Sequence, residues 1–238
     1  MVATTVVALL LVVLLWEGYK WMGGQTDDHW PGTSIGLPTT TDDLTMPHAT
    51  DIVGELFEEV RDGRARLPLY LFLLKKGWYT FQEAAIGFTF GLAIGMGLAI
   101  LMLRWRVVER GLLPWINVSQ TVPLIALAPI IVTWGRLHDL PDIFSISLIS
   151  TYLTFFPVAV SALRGLQSPD AAHLELMRSY AAPWRTTLFK LRLPAARAYL
   201  FPALKLAATL SVVGAIVGEI SIGTKTGLGR AKIGRAHV

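Results

Sequence analysis

Long apolar blocks dominate the chain and alternate with shorter polar segments. A helix needs roughly 20 mostly apolar residues to cross the hydrocarbon core of a bilayer, which is about 30 Å thick. Five blocks have that length. They predict spans from about Val2 to Met22, Trp78 to Leu103, Leu113 to Trp134, Ile143 to Leu163 and Tyr199 to Ile220. The predicted fold class is therefore an all-α integral membrane protein.

Composition favours the same class over a soluble domain. Hydrophobic residues make up 53% and charged residues 16% of the 238 residues, whereas soluble domains carry about 25% charged residues. Cysteine is absent, which excludes a disulfide framework, a thiolate metal site and a cysteine nucleophile. No basic helix stands outside the apolar blocks, so nucleic-acid binding is not favoured.

The positive charges cluster in two of the polar connections. Residues 104–111 hold three arginines against one acid, and residues 164–197 hold six basic residues against two acids. Residues 23–66 hold nine acids. Because short loops rich in Lys and Arg stay in the cytoplasm, the predicted topology has a cytoplasmic N-terminus, an outer 23–77 loop and a cytoplasmic 164–197 loop.

The outer segment has a structure of its own. Residues 23–48 are rich in Gly, Pro, Thr and Asp and are typical of a loop. Apolar residues at helical spacing predict a short amphipathic helix over 51–60. The apolar run 67–74 is too short to cross the membrane and is interpreted as an interfacial lead-in to the second span.

Small and polar residues inside the spans are candidates for packing or transport. Gly87, Gly91 and Gly95 recur every four residues, which permits close helix approach within one subunit or between subunits. Possible residues of a translocation path are Gln120, Thr121 and Ser150. Lys205 and Glu219 lie near opposite ends of the fifth span, where snorkelling to water and a functional role both remain open.

The chain shows no catalytic constellation. Metalloprotease, nucleophile-elbow and phosphate-loop motifs are absent from the sequence. The five histidines lie outside the predicted spans and make no helix-spaced metal pair. We therefore expect no enzyme, no metal site and no directly bound cofactor, and a membrane enzyme ranks last among the alternatives.

The connection 164–197 is long for a plain linker between two spans. Ser168-Pro169-Asp170 is a helix-start signal, which predicts one helix over about 170–180. Pro183 restricts Ala182 and places a bend there. A second helix is predicted over about 184–192 and is expected to end at Pro194. Such an element either docks onto a soluble partner or lies flat on anionic lipid.

Three runs in this order resemble the permease subunit of bacterial binding-protein-dependent ABC importers, in the nitrate/sulfonate/taurine branch. They are QTVPLIALAPIIVTWG (120–135), the 175–194 connection and VGEISIGTKTGLGR (217–230). The likeness covers about 47–231. Glu175, Leu176 and Met177 stand where this family has its Glu-Ala-Ala motif, Ala181 stands at its Gly position, and Pro194 closes the motif. Because Ala enters positive φ less easily than Gly, we expect the bend to be made differently.

The resemblance implies a type I importer permease fold and a set of partners. These are ABC ATPase subunits that use ATP, an extracytoplasmic solute-binding protein, a second permease copy in a homodimer, and the lipid bilayer of a bacterial inner membrane. It implies an ATPase-coupling surface made of Glu175, Leu176, Met177, Arg178, Ala181, Ala182 and Pro194. The alternative is a non-transport scaffold or channel with a lipid-bound 164–197 loop.

Domain organisation follows from these interpretations. Residues 1–22 form the first span, 23–77 the outer loop, 78–231 the importer domain with spans two to five, and 232–238 a non-native tail. Family members continue into a sixth span, and the final IGRAHV resembles translated sequencing-adapter DNA. We therefore expect a C-terminally truncated chain.

Overall fold

The computed structural model describes residues 2–30, 32–33, 35–43, 45–62, 65–223 and 227–229. The predicted tail, 232–238, lies outside the described residues. The chain divides into two compact units, Met1–Phe72 and Leu73–Val238. The N-terminal unit holds one long helix, a short helix and a hairpin, and the second unit holds the helical bundle with the candidate site.

In the N-terminal unit, helix α1 (Val2–Gln25) is followed by a loop that folds back along its last turns. The Lys20 ammonium donates a hydrogen bond to Asp43 Oδ1 at 2.6 Å. The Trp16 indole donates to the Pro47 carbonyl at 3.0 Å. These bonds give the polar loop fixed partners at the end of an apolar helix.

The predicted amphipathic helix is shorter than expected. Helix α2 spans Ala49–Glu55, and strand β1 (Glu59–Asp62) then pairs antiparallel with β2 (Ala65–Pro68). The helix prediction was therefore wrong beyond Glu55. The physical reason is visible in the sequence, where the Asp-Gly dipeptide at 62–63 is a hairpin signal.

Helices make up the remainder of the described chain. In order they are α3 (Leu69–Arg104), α4 (Arg106–Ser119), α5 (Leu124–Leu137), α6 (Asp142–Gln167), α7 (Ala171–Ser179), α8 (Trp184–Thr187), a π-helical turn (Leu188–Arg192), α9 (Leu193–Ala195) and α10 (Arg197–Ile222). The predicted lead-in is not a separate element, because α3 runs unbroken from Leu69. Its 36 residues give a length of about 54 Å.

The third predicted span is bent rather than straight. Helices α4 and α5 meet at an angle of 100° across a break of four residues or fewer. Pro123 lies in that break, lacks a backbone N–H and keeps Val122 out of helical geometry. Each helix has 14 residues and so is about 21 Å long, too short to cross alone.

Two apolar clusters show that this bent pair connects opposite ends of the bundle. One cluster joins the end of α3, α4 and the end of α6, through Ala99, Met102, Ile116, Ala162, Leu163, Leu166, Leu188 and Ala196. The other joins α5 to the start of α6 and the end of α10, through Ala84, Ala128, Val132, Ile146, Ile149, Ala215 and Ile222. The pair therefore acts as one broken span, and both arginine-rich connections lie at the same end.

Close packing of α3, α6 and α10 forms the centre of the bundle. A Cβ added at Gly87 would overlap Ser150 Cβ, and one added at Gly214 would lie 2.8 Å from Ser150 Cα. A Cβ added at Gly91 would likewise lie against Thr154, and one added at Gly95 would lie against Val158. The glycine face of α3 thus lies against α6 within this subunit.

Hydroxyl groups on α6 add hydrogen bonds to that contact. The Ser147 hydroxyl donates to the Glu83 carbonyl at 3.1 Å, and the Thr151 hydroxyl lies 3.3 Å from the Gly87 carbonyl. Such bonds need the short distances that glycine permits, because a larger residue would separate the two backbones.

Among the described residues, four helices are long and apolar enough to cross a membrane: α1 from Thr4, α3, α6 and α10. Counting the bent α4–α5 pair as one span gives five. This count agrees with the five predicted spans, and the fold class is confirmed.

Replacing Gly87 with Ala should destabilise the bundle by about 1–3 kcal/mol, because the new methyl group overlaps Ser150 and the backbone of α6. Gly97→Ala is the matched control, since nothing lies within 4 Å of its added Cβ. That control should gain up to about 1 kcal/mol of helix propensity. Thermal unfolding in detergent measures both, and equal stability of the two variants would contradict the packing.

Candidate functional site

The connection between α6 and α10 is an ordered helical element. Helix α7 (Ala171–Ser179) and the α8–π-turn segment (184–192) occupy the two predicted positions, so both helix predictions are confirmed. The π-helical turn was not predicted. Single π turns inside helices are frequent at functional sites.

The bend after α7 is a Schellman cap centred on Ala181. Its N–H donates to the Arg178 carbonyl at 2.8 Å, and the Ala182 N–H donates to the Met177 carbonyl at 3.0 Å. Ala181 has φ of +49°. The expectation that Ala avoids this conformation was wrong, because Ala181 adopts it and the two capping hydrogen bonds stabilise it.

Pro194 does not end the helical path before the fifth span. It lies within the first two residues of α9, and α10 starts at Arg197. Proline is tolerated there because the first turn of a helix needs no intrahelical donor. The prediction of a stop at this residue was wrong, and the coupling segment runs almost directly into α10.

Several predicted coupling residues share an accessible surface. Glu175, Leu176 and Arg178 are exposed, and Leu176 retains 53% of its accessible area. Tyr180, four residues after Leu176, is 76% exposed. Residues four apart lie on one helical face, so Leu176 and Tyr180 form an apolar pair beside two opposite charges.

The other predicted members lie at the edges of this surface. Ala181 and Pro194 are exposed, whereas Met177 and Ala182 are partly buried. We use the name coupling surface for the exposed part of the predicted site together with Tyr180, that is Glu175, Leu176, Arg178 and Tyr180; coupling itself stays a prediction. Tyr180 was missed in the sequence, although its spacing from Leu176 was the signal that would have found it.

Buried contacts anchor this element to α6. Leu188, in the π turn, is only 4% exposed and packs in the cluster that contains Leu166. The Arg192 guanidinium donates to the Leu166 carbonyl at 2.7 Å, which satisfies a terminal acceptor of α6. Burial lowers the pKa of Arg192 from its ordinary value, and the neighbouring charge of Arg178 lowers it further.

A second anchor comes from α3. The guanidinium carbon of Arg104 lies 5.8 Å from the ring centroid of Trp105 and 5.9 Å from that of Trp184. These distances fall within the range of cation–π attraction. Because Trp184 begins α8, the coupling element is linked to the last residue of α3 as well as to α6.

The candidate path residues occupy different environments. The Gln120 side-chain nitrogen is buried and makes no hydrogen bond to the described residues. Thr121 is exposed and donates to its own backbone at Val118, 2.8 Å away. Ser150 is fully buried between two glycines. Gln120 and Thr121 thus lie at the break in the third span, and Ser150 lies at the helix contact.

The two ionisable residues of the fifth span also differ. Lys205 is exposed, whereas Glu219 is fully buried. Of the two alternatives left open for Glu219, snorkelling to water is therefore wrong. Its carboxylate accepts hydrogen bonds from Thr80 and Gly229, which replace the water it gives up.

The bundle, with its broken third span and anchored connection before the last helix, defines a multi-pass α-helical membrane protein. A sequence profile of the family described as "Binding-protein-dependent transport system inner membrane component" matches residues 90–235. The match covers more than half of the chain and includes the coupling surface. The chain belongs to this family, and it is an ABC importer permease by class.

Named relatives agree with this membership. The chain is 36% identical over 150 residues to the formylaminopyrimidine transport permease protein ThiX of Halalkalibacterium halodurans, covering 63% of this chain and 58% of ThiX. It is 31% identical over 150 residues to a probable ABC transporter permease protein of Haemophilus influenzae, covering 63% and 59%. It is 29% identical over 147 residues to the putative aliphatic sulfonates transport permease protein SsuC of Bacillus subtilis, covering 62% and 51%. The chain thus spans about half to three-fifths of the length of these relatives.

Replacing Ala181 with Gly should remove the cost of a left-handed alanine, which is roughly 1–2 kcal/mol. The control is Ala182→Gly, because Ala182 does not have a positive φ. Glycine at this position only increases the conformational freedom of the unfolded chain. Ala181→Gly should therefore be about 1 kcal/mol more stable than Ala182→Gly in thermal unfolding. A reversed order would contradict the Schellman cap.

Proposed function

We propose that this chain is the permease subunit of an ATP-driven importer and that its coupling surface docks onto a cytoplasmic ABC ATPase. The observation that supports docking is the combination of an exposed face, containing Leu176 and Tyr180, with a buried base at Leu188 and Arg192. An exposed apolar pair on a firmly held element is suited to binding a protein partner.

The orientation in the membrane follows from charge. The arginines of 104–110 and of 164–197 lie at one end of the bundle, and short loops rich in Arg and Lys remain cytoplasmic. That end carries the coupling surface. The N-terminus is then cytoplasmic as well, and the α5–α6 connection faces outwards.

The anchors define how motion would pass from the ATPase to the spans. ATP binding brings the two ATPase subunits together and moves the docked α7. The Arg192–Leu166 hydrogen bond transmits this displacement to α6, and the Arg104–Trp184 contact transmits it to α3. The helices then rock as rigid bodies between inward and outward openings. ATP is bound and hydrolysed by the partner, and the permease binds no cofactor directly.

The complete importer contains two permease copies in a homodimer, and an extracytoplasmic binding protein delivers the solute. Gln120 and Thr121 line the path at the break of the third span, where unwound backbone supplies polar groups. ThiX and SsuC are named for different solutes. Similarity to them therefore supports a transport role for this chain but no particular substrate, and the binding protein selects the substrate.

Reversing the charge of Glu175 to Lys should uncouple the complex. We expect ATPase stimulation by the loaded binding protein to fall about tenfold, which corresponds to about 1.4 kcal/mol, while the amount of permease in the membrane stays unchanged. Asp42→Lys is the control, since Asp42 is an exposed acid in the N-terminal unit. The measurement is the ATPase rate of the reconstituted complex.

The same variant distinguishes docking onto an ATPase from the alternative in which the 164–197 loop is bound to lipid. A loop that lies on anionic lipid would bind acidic vesicles more strongly after Glu175→Lys, because one negative charge becomes positive. Unchanged ATPase stimulation together with stronger vesicle binding would contradict the docking role.

A further inference from the structure

An open cavity of about 380 Å³ lies along the first turns of α4, at the end of the bundle that carries the arginine-rich connections. Its lining residues are Arg106, Glu109, Arg110, Leu113 and Pro114. They recur at intervals of three and four residues, so they share one face of the helix. None of them belongs to the coupling surface or to the candidate path, and the cavity therefore calls for a role of its own.

The two arginines of this cavity have no anionic partner in the described part of the chain. Arg106 and Arg110 are exposed, and neither guanidinium forms an ion pair or a hydrogen bond with a described residue. The two residues lie one helical turn apart, so both side chains reach the same space. Because the guanidinium fork matches the oxygens of a phosphate group, the pair is suited to hold one phosphate between them.

Glu109 is the acid in the lining, and α6 holds its carboxylate. Its Oε1 atom accepts a hydrogen bond from the side-chain nitrogen of Gln167 at 2.8 Å, and the residue is partly buried. Arg104, the last residue of α3, lies two positions before Arg106 and adds positive charge at this end of the helix. Two arginines against one acid leave the lining with an excess of positive charge, which favours an anionic ligand.

The other half of the cavity is apolar. Pro114 lies about 12 Å beyond Arg106 along the helix axis, with Leu113 beside it. Since the bent α4–α5 pair connects the two ends of the bundle, this direction leads from the membrane surface towards the hydrocarbon layer. Trp105 and Trp115 flank the lining and are 51% and 74% exposed, and indole rings prefer the headgroup layer. A ligand that fits this order has a phosphate at one end and hydrocarbon at the other.

We propose that this cavity binds the headgroup of an anionic phospholipid. The phosphate lies between the guanidinium groups of Arg106 and Arg110, and the first carbons of the acyl chains pack on Leu113 and Pro114. A free phosphate ion could make the first of these contacts but not the second, so the apolar half favours the lipid. Basic pockets between membrane-spanning helices are known to bind anionic headgroups. The site does not depend on the proposed transport role.

Fluorescence quenching of the full chain in vesicles tests the proposal. The vesicles consist of phosphatidylcholine with a minor fraction of phosphatidylglycerol, and either lipid carries bromine on its acyl chains. Bromine quenches indole fluorescence only at short range, so Trp105 and Trp115 report a lipid in the cavity. The wild type should be quenched more strongly by brominated phosphatidylglycerol than by an equal fraction of brominated phosphatidylcholine.

Replacing Arg106 and Arg110 together with Gln should lower the affinity for phosphatidylglycerol, relative to phosphatidylcholine, about fivefold or more, because one basic residue near a membrane surface contributes about fivefold. The matched control is Arg185→Gln with Lys190→Gln. This control removes the same charge from exposed positions of the 184–192 segment, outside the cavity, and it should keep the wild-type preference. Circular dichroism of both double variants shows whether their helix content is unchanged.

An equal loss in the two double variants would overturn the proposal, because the preference would then come from the basic surface as a whole. A wild type that shows no preference for phosphatidylglycerol would also overturn it, and that result needs no variant. Inorganic phosphate, added at constant ionic strength, distinguishes the two sources of the phosphate group. It should leave the quenching unchanged, whereas displacement of the brominated lipid would assign the cavity to a soluble anion and contradict the lipid site.

Discussion

The contact at Ser150, where α3, α6 and α10 meet, is the constraint on which the rest of the bundle depends. Lipid tails are as apolar as leucine, so spans gain little hydrophobic energy from each other and associate through close packing and hydrogen bonds. Gly87 and Gly214 lie on either side of Ser150, and because glycine has only a hydrogen as its side chain, both helices can approach closely. The hydroxyls of Ser147 and Thr151 then reach the backbone of α3. The predicted coupling surface lies at one end of this packed bundle, and the buried Glu219 lies at the other.

The two ends of the bundle use polar groups in different ways. At the basic end, Arg192 contacts the end of α6 and Arg104 at the end of α3 contacts Trp184, so the connection before α10 is attached to two spans. At the opposite end, Glu219 gathers α3, α10 and the Gly227–Gly229 turn around one carboxylate. Between these attachments, the bend at Pro123 interrupts the α4–α5 pair.

Much of this architecture was predictable because apolar length and charge asymmetry are local properties. The spans, the two short helices of the coupling element and its bend at 181–183 follow from windows of 10 to 20 residues. The hairpin was missed because the apolar spacing of 51–60 was given more weight than the Asp-Gly dipeptide that follows it. The conformation of Ala181 depends on capping hydrogen bonds, and the burial of Glu219 depends on Thr80, 139 residues away. Neither is visible in a local pattern, since tertiary contacts decide both.

The most direct test of the account is the side of the membrane on which α7 lies. The chain contains no cysteine, so single variants Ser179→Cys in α7 and His138→Cys in the α5–α6 connection report without interference, and both positions are exposed. A membrane-impermeant thiol reagent is added to intact cells whose outer layers have been made permeable. It should label His138→Cys, and it should label Ser179→Cys only after the inner membrane is opened. Labelling of Ser179→Cys in sealed cells would place the coupling surface outside, beyond the reach of any cytoplasmic ATPase, and would contradict the account.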